Sequence, residues 1–288
     1  MNAALGGVLA AVAWGSADFI ARFTVGAVGH VNALFGMLAT SAVVLTAIVL
    51  VMDLPTPELS AAWWLLLLAG AGLTLATLLL YQGLVRGPVT IVAPIAGSFP
   101  AFSILLALVL GVRPAPAEWI AMAAVMLGVL VVARSAGHYA AHGHYTRAHL
   151  RTTVMISLGA SFSFAVTVAA LQEAGTIYGE IQAVFLSRWV SLACCVLLLA
   201  ARRELPRIPM RWWPALSAQG VLDGSALLAL VAGSQGAGSA VTAVLASSFS
   251  AVTIVLARIF IREAMTWGQW LGIAMILAGV ASLAGLQA

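Results

Sequence analysis

Residues 63–72 read WWLLLLAGAG, and the apolar run they open continues without a charge as far as Arg86. A helix needs about 20 mostly apolar residues to cross the hydrocarbon of a bilayer, and this run supplies them. The rest of the 288-residue chain has the same character, with 63% hydrophobic and 8% charged residues. A soluble domain carries roughly 45–50% apolar and about 25% charged residues. No soluble core buries so much apolar surface, so the sequence describes an all-α, polytopic membrane protein.

Windows of spanning length fall at 3–22, 31–52, 61–86, 88–110, 117–134, 150–172, 180–201, 212–235, 238–260 and 267–286. The breaks between them hold proline and charge, as in DLPTPE (53–58), GVRPAPAE (111–118) and RRELPRIPMR (202–211). WWLLLLAGAG has a counterpart in WWPALSAQG (212–220), and it is not alone. NALF (32–35) matches QAVF (182–185), GSFPAF (97–102) matches SSFSAV (247–252), and EWIAMAAVMLGV (118–129) matches QWLGIAMILAGV (269–280). The offset stays between 149 and 151. The expected organisation is therefore a first five-helix repeat over 1–134, a linker over 135–149, and a second five-helix repeat over 150–288. Five is odd, so the second repeat enters the membrane upside down. Inverted repeats around a midplane site are a recurrent plan of secondary transporters.

All 13 basic residues are arginine. Ten of them fall in the loops after odd-numbered spans: Arg22, Arg86, Arg134, Arg147, Arg151, Arg202, Arg203, Arg207, Arg211 and Arg262. The opposite loops hold Arg113 among Asp53, Glu58, Glu118, Glu173 and Glu180. The positive-inside rule then puts both termini outside. Arginines set singly at the ends of apolar runs account for the net charge of +4 without a nucleic-acid partner. The N-terminus has no basic n-region, so it is expected to remain as the first span. Cys194 and Cys195 are adjacent and read as small apolar fillers. His138, His142 and His144 lack a cysteine or carboxylate partner, so a solvated linker rather than a metal site is expected there.

Three further stretches carry a resemblance: AVAWGSADF (11–19), the pair Arg188-Trp189, and the proline-bearing VTIVAPIAGSFPAF (89–102). With the five-plus-five pattern they make nearly the whole chain resemble the drug/metabolite transporter superfamily, and within it the EamA-type ten-helix exporters. The bacterial exporters of aromatic amino acids are the nearest match. The resemblance implies a multi-pass protein of the bacterial inner membrane that moves a small-molecule substrate, an amino acid or similar metabolite, outward across the lipid bilayer. No cofactor is expected, and the working unit is expected to be a monomer, although the sequence does not give the oligomeric state. Two departures stand out. The position matching Arg188 is Leu38, and where small four-helix relatives use a glutamate in their first span this chain has Trp14, with Asp18 and Arg22 nearer one end.

Asp223 sits in the middle of span 8, where an ionisable residue is costly and normally meets a partner or a wet cavity. Gln219 and Ser234 share its helical stripe. Two readings are open: Asp223 meets a substrate ammonium or a proton, or it forms a structural or coupling ion pair with Arg188 in span 7. Thr74, Thr77 and Tyr81 fall on one face of span 3. Prolines 94 and 100 loosen span 4 around Gly97 and Ser98. Aromatics recur at mid-depth as Trp14, Phe99, Phe102, Phe162, Phe164 and Phe249, each near small hydroxyl residues. The expected substrate-binding set is Trp14, Thr77, Tyr81, Ser98, Phe99, Phe102, Phe162, Phe164, Asp223 and Phe249.

Other functions fit less well. An intramembrane enzyme lacks an HExxH run, a serine–histidine pair at depth, and a second aspartate deep enough to form a dyad with Asp223. A channel needs a continuous polar lining. The expectation is a carrier exporting aromatic and other neutral amino acids by alternating access, with drug-like cations or other metabolites as the alternative cargo.

Overall fold

The computed structural model describes residues 1–55, 61–109, 116–141, 146–234, 239–262 and 265–287. Those residues are helical almost throughout, in the order α1 (Ala3–Val28), α2 (His30–Val51), α3 (Trp63–Arg86), α4 (Val89–Ala96), α5 (Phe99–Val109), α6 (Pro116–Ala141), α7 (Arg147–Tyr178), α8 (Glu180–Ala201), α9 (Trp213–Gly233), α10 (Ser239–Ser247), α11 (Phe249–Leu256) and α12 (Trp267–Gln287). Among the described residues, seven helical stretches are long and apolar enough to cross a membrane, and three shorter apolar ones accompany them. Outward faces carry Leu50, Val51, Ile120 and Trp267, all largely exposed, as lipid contact requires. The expected linker is partly taken up by the end of α6 and the start of α7; His142 and His144 lie outside the described residues.

Short turns hold consecutive helices together. Gly29, between α1 and α2, has φ 84° and returns its N–H to the Val25 carbonyl at 3.0 Å. Gly179, between α7 and α8, has φ 88° and bonds Gly175 in the same way at 3.1 Å. Only glycine enters that left-handed region without a Cβ penalty. After α2 and α8 the same recurrence appears. Asp53 and Arg203 both adopt positive φ, and Leu54 and Glu204 both bond back five residues, to Val49 and Leu199. These positions all stand 150 residues apart, the spacing of the sequence matches.

The fourth apolar run is broken, as its prolines require. α4 stops at Ala96 and α5 starts at Phe99, with Ser98 bonded three residues back to Ile95 at 3.2 Å. Pro100 has no N–H to offer a continuous helix. The ninth run breaks at the matching place without a proline: α10 ends at Ser247, α11 starts at Phe249, and Ser248 bonds back to Leu245 at 3.1 Å. It closes in a π-helical stretch, Ala257–Ile261.

Helices from the two halves pack in crossed pairs. α3 lies along α7, α1 lies along α9, and α6 packs against α12. Small residues permit the close approach. A Cβ on Gly220 of α9 would meet the Met37 carbonyl of α2 at 2.5 Å, and one on Gly128 of α6 would meet the Gly272 carbonyl of α12 at 2.7 Å. Thr74 belongs to this packing too, donating to the carbonyls of Gly70 and Ser191.

Candidate functional site: an aromatic cavity between the halves

The crossed pairs leave a cavity where α1, α3 and α9 meet the broken helices. Trp14, Asp18, Thr77 and Tyr81 line it from the first two, Gln219 and Asp223 from α9. Phe99 at the start of α5, Phe164 of α7 and Phe249 at the start of α11 complete the wall. The helix breaks bring both of those N-terminal phenylalanines inward.

The rings form a continuous series. Trp14 meets Phe249 edge-on at 6.2 Å, Phe249 meets Phe164 at 6.5 Å, and Phe164 meets Phe99 at 6.4 Å. Such offset and edge contacts match the ring quadrupoles. Three expected residues stand elsewhere. Ser98 is fully buried, donates to the Ile95 carbonyl at 2.7 Å and lies 3.2 Å from the Ser161 hydroxyl. Phe102 and Phe162 pair with each other edge-on at 5.9 Å, and Phe162 is 48% exposed on the outer surface. Residues two apart on a helix point roughly 200° apart, so Phe164 facing in turns Phe162 out.

Asp223 is held from two sides. Its Oδ2 lies 2.6 Å from Nη2 of Arg188, and its Oδ1 accepts a hydrogen bond from Trp14 Nε1 at 3.1 Å. Asp223 thus faces the cavity and is paired with Arg188. The arginine is fully buried. Its contact with Asp223 is a close charge pair rather than an aligned hydrogen bond, and its Nε has no hydrogen-bond partner. A buried arginine with donors left open is an energetic liability that a further acceptor relieves.

On another side of the cavity a polar brace ties three helices. Gln219 Nε2 donates to the Tyr81 hydroxyl, and Thr24 of α1 donates to Gln219 Oε1 at 3.0 Å. Beyond the brace, Arg22 of α1 donates to the Leu84 carbonyl of α3. Its counterpart 150 residues on, Gln172 of α7, donates to the hydroxyl of Ser234 of α9 at 2.9 Å, and Ser234 is the counterpart of Leu84. Each half therefore bridges its first helix to its third at the same place.

Asp18 corrects one expectation. Sequence position predicts no second aspartate deep enough to join Asp223, because Asp18 lies a turn before Arg22 near the end of its run. The structure sends Arg22 to the Leu84 carbonyl and leaves Asp18 in the cavity wall. The signal available in the sequence was its spacing of four from Trp14, which puts both on one helical face.

The cavity measures about 20 Å³. That admits a water molecule and falls far short of the roughly 300 Å³ of a small-molecule pocket.

Seven helical stretches of spanning length, two broken helices and a polar and aromatic cavity fit a multi-pass membrane protein. The chain belongs to the EamA-like transporter family, whose model matches residues 1–134 and 151–285. It is thus a membrane transporter of small molecules. A solved crystal structure shares the fold, with 18% identity and a TM-score of 0.71 over 99% of this chain and 96% of the other. None of the curated proteins compared with it is significantly similar.

Proposed function

We propose that the protein is a secondary carrier of the bacterial inner membrane that exports amino acids, aromatic and other large neutral ones first, by alternating access. The observation that carries this reading is the Arg188–Asp223 pair set beside a series of aromatic rings. A zwitterion is the solute that can replace both members of a salt bridge at once. Its carboxylate takes up the open donors of Arg188, its ammonium faces Asp223, and its side chain stacks among Trp14, Phe164 and Phe249. The pair breaks without leaving either charge bare.

The 150-residue recurrence supports ten spans in two inverted halves, and the placement of the arginines supports both termini outside. On this topology the Arg22–Leu84 bridge lies toward the cytoplasm and the Gln172–Ser234 bridge toward the outside. Each would open in turn as α3 to α5 rock against α9 to α11.

Proteoliposomes holding the purified protein and a panel of labelled amino acids provide the test. Mutually competing uptake of phenylalanine, tryptophan and leucine, reduced at least tenfold by Asp223→Asn, is expected. Absence of uptake across the panel by folded protein sinks the amino-acid reading. A second cargo, organic cations, is favoured by a separate observation, the carboxylate of Asp18.

A further inference from the structure

The connection between α8 and α9, RRELPRIPMR (202–211), sets Arg202, Arg203, Arg207 and Arg211 against one carboxylate, Glu204. All five residues are exposed, and no ion pair found among the described residues reaches any of them.

The stretch is nonetheless fixed in place. Arg203 takes a φ of 56°, and Glu204 returns its N–H to the Leu199 carbonyl at 3.0 Å. The backbone N–H of Arg207 reaches Asn32 Oδ1 of α2 at 3.4 Å, and Ile208 packs beside Gly36 of the same helix. Met210–Trp212 forms a 3₁₀ turn that leads into α9, with the Arg211 guanidinium 6.0 Å from the Trp212 ring centre.

The matching connection after α2 has the same turn and the opposite charge. Asp53 adopts a φ of 48° where Arg203 has 56°, and Leu54 bonds back to Val49 as Glu204 does to Leu199. Its sequence, DLPTPE (53–58), holds two carboxylates and no arginine. The turn itself therefore needs no positive charge, and the arginines of 202–211 answer to something outside the chain.

Guanidinium groups without carboxylate partners at the end of a membrane-crossing helix are complementary to phosphate. Leu205 and Met210, in the same stretch, are 81% and 84% exposed. Large apolar side chains interleaved with arginines suit a ligand that has an anionic head and an apolar body. A nucleic acid or a free phosphate offers the first without the second. Trp212 and Trp213 follow directly, and tryptophan is enriched where a helix enters the headgroup layer.

We propose that the 202–211 connection is a binding site for an anionic phospholipid, its arginines holding the headgroup phosphate and Leu205 and Met210 meeting the apolar part. The bound lipid clamps the connection onto α2, whose Met37 sulfur lies 3.9 Å from Arg188 Nη1. It thereby stabilises the helices that carry the Arg188–Asp223 pair. The lipid site is independent of the cargo that the cavity takes.

The test uses purified full-length protein in neutral detergent, titrated with phosphatidylglycerol or with phosphatidylcholine. Native mass spectrometry counts the bound lipid, and the thermal midpoint is read in parallel. Wild type prefers phosphatidylglycerol by roughly tenfold or more, and that lipid alone raises the midpoint. Arg203→Gln with Arg207→Gln abolishes the preference. Arg147→Gln with Arg151→Gln removes the same charge at the start of α7 and leaves the preference intact. Glycerol phosphate, a headgroup without chains, gives no midpoint shift. Equal binding of the two lipids by wild type overturns the proposal, and so does equal weakening by the two double variants, which marks diffuse attraction. A midpoint shift with glycerol phosphate as large as that with phosphatidylglycerol overturns it in favour of a free anion. Should the first double variant fail to fold, Leu205→Ser with Met210→Ser takes its place: weaker phosphatidylglycerol binding is expected, and unchanged binding overturns the proposal.

Discussion

Asp223 Oδ2 and Arg188 Nη2 lie 2.6 Å apart in the interior, while the positions 150 residues earlier, Leu73 and Leu38, are both buried leucines. The fold has therefore solved the same packing problem once with an ion pair and once with leucines. Removing one member of a buried pair costs about 3–5 kcal/mol because the other charge is left bare, whereas replacing both by apolar residues is often neutral. Arg188→Leu and Asp223→Leu are each expected to lower the thermal midpoint in detergent sharply, and the double variant to recover most of it while losing transport. A double variant as unstable as the worse single one would contradict this.

Phe249 touches both Trp14 and Phe164, and such ring contacts are each worth about 0.5–1.5 kcal/mol. Phe249→Ala is expected to change the ranking of amino acids in competition assays and to raise the half-saturating concentration roughly tenfold. Phe162→Ala, on the outer surface, is expected to leave both unchanged. Equal effects from the two variants would separate the rings from substrate choice.

Ser234→Ala removes the hydroxyl that receives Gln172 at 2.9 Å. One such bond is worth about 0.5–1.5 kcal/mol, a roughly two- to tenfold shift between two states. With Thr77→Cys as reporter and Cys194 and Cys195 replaced by alanine, Ser234→Ala is expected to speed labelling by an impermeant thiol reagent added outside intact cells. Arg22→Gln is expected to speed labelling in inverted vesicles. A change at the same face in both variants would refute the paired bridges.

Gly220→Val drives a side chain into the Met37 carbonyl and is expected to abolish folded, detergent-extractable protein. Gly26 has nothing within 4 Å of its Cβ position, and Gly26→Ala should be stabilising by about 0.5–1 kcal/mol. Fluorescence-detected size exclusion at graded temperatures reads both.

A periplasm-dependent phosphatase fused to the C-terminus is expected to be active, and the same enzyme fused after Arg207 inactive. The reverse pattern would invert the topology.

The lipid-crossing character was legible because it is written in a one-dimensional pattern, the length of the apolar runs. Seven of the residues singled out in the sequence, Trp14, Thr77, Tyr81, Phe99, Phe164, Asp223 and Phe249, line one cavity. Rotation about each helix axis was not legible. Lipid and protein interior are both apolar, so nothing in SFSF says which phenylalanine turns inward. Ser98 and Ser161 satisfy each other across a helix pair that only the packing brings together. Asp18 was hidden by a spacing of four to Arg22, which suggests a local pair until a carbonyl on another helix claims the arginine.

The bridges of the two halves are not chemically equal: one uses a guanidinium on a backbone carbonyl, the other a neutral amide on a hydroxyl. Two identical latches would leave a carrier idling equally at either side of the membrane. Under the proposed alternating access, unequal ones would give it a parking position. That bias adds nothing to the direction of net flux, which the gradients alone decide. It determines which half of the cycle is slow, and hence on which side of the membrane a scarce substrate finds the door already open.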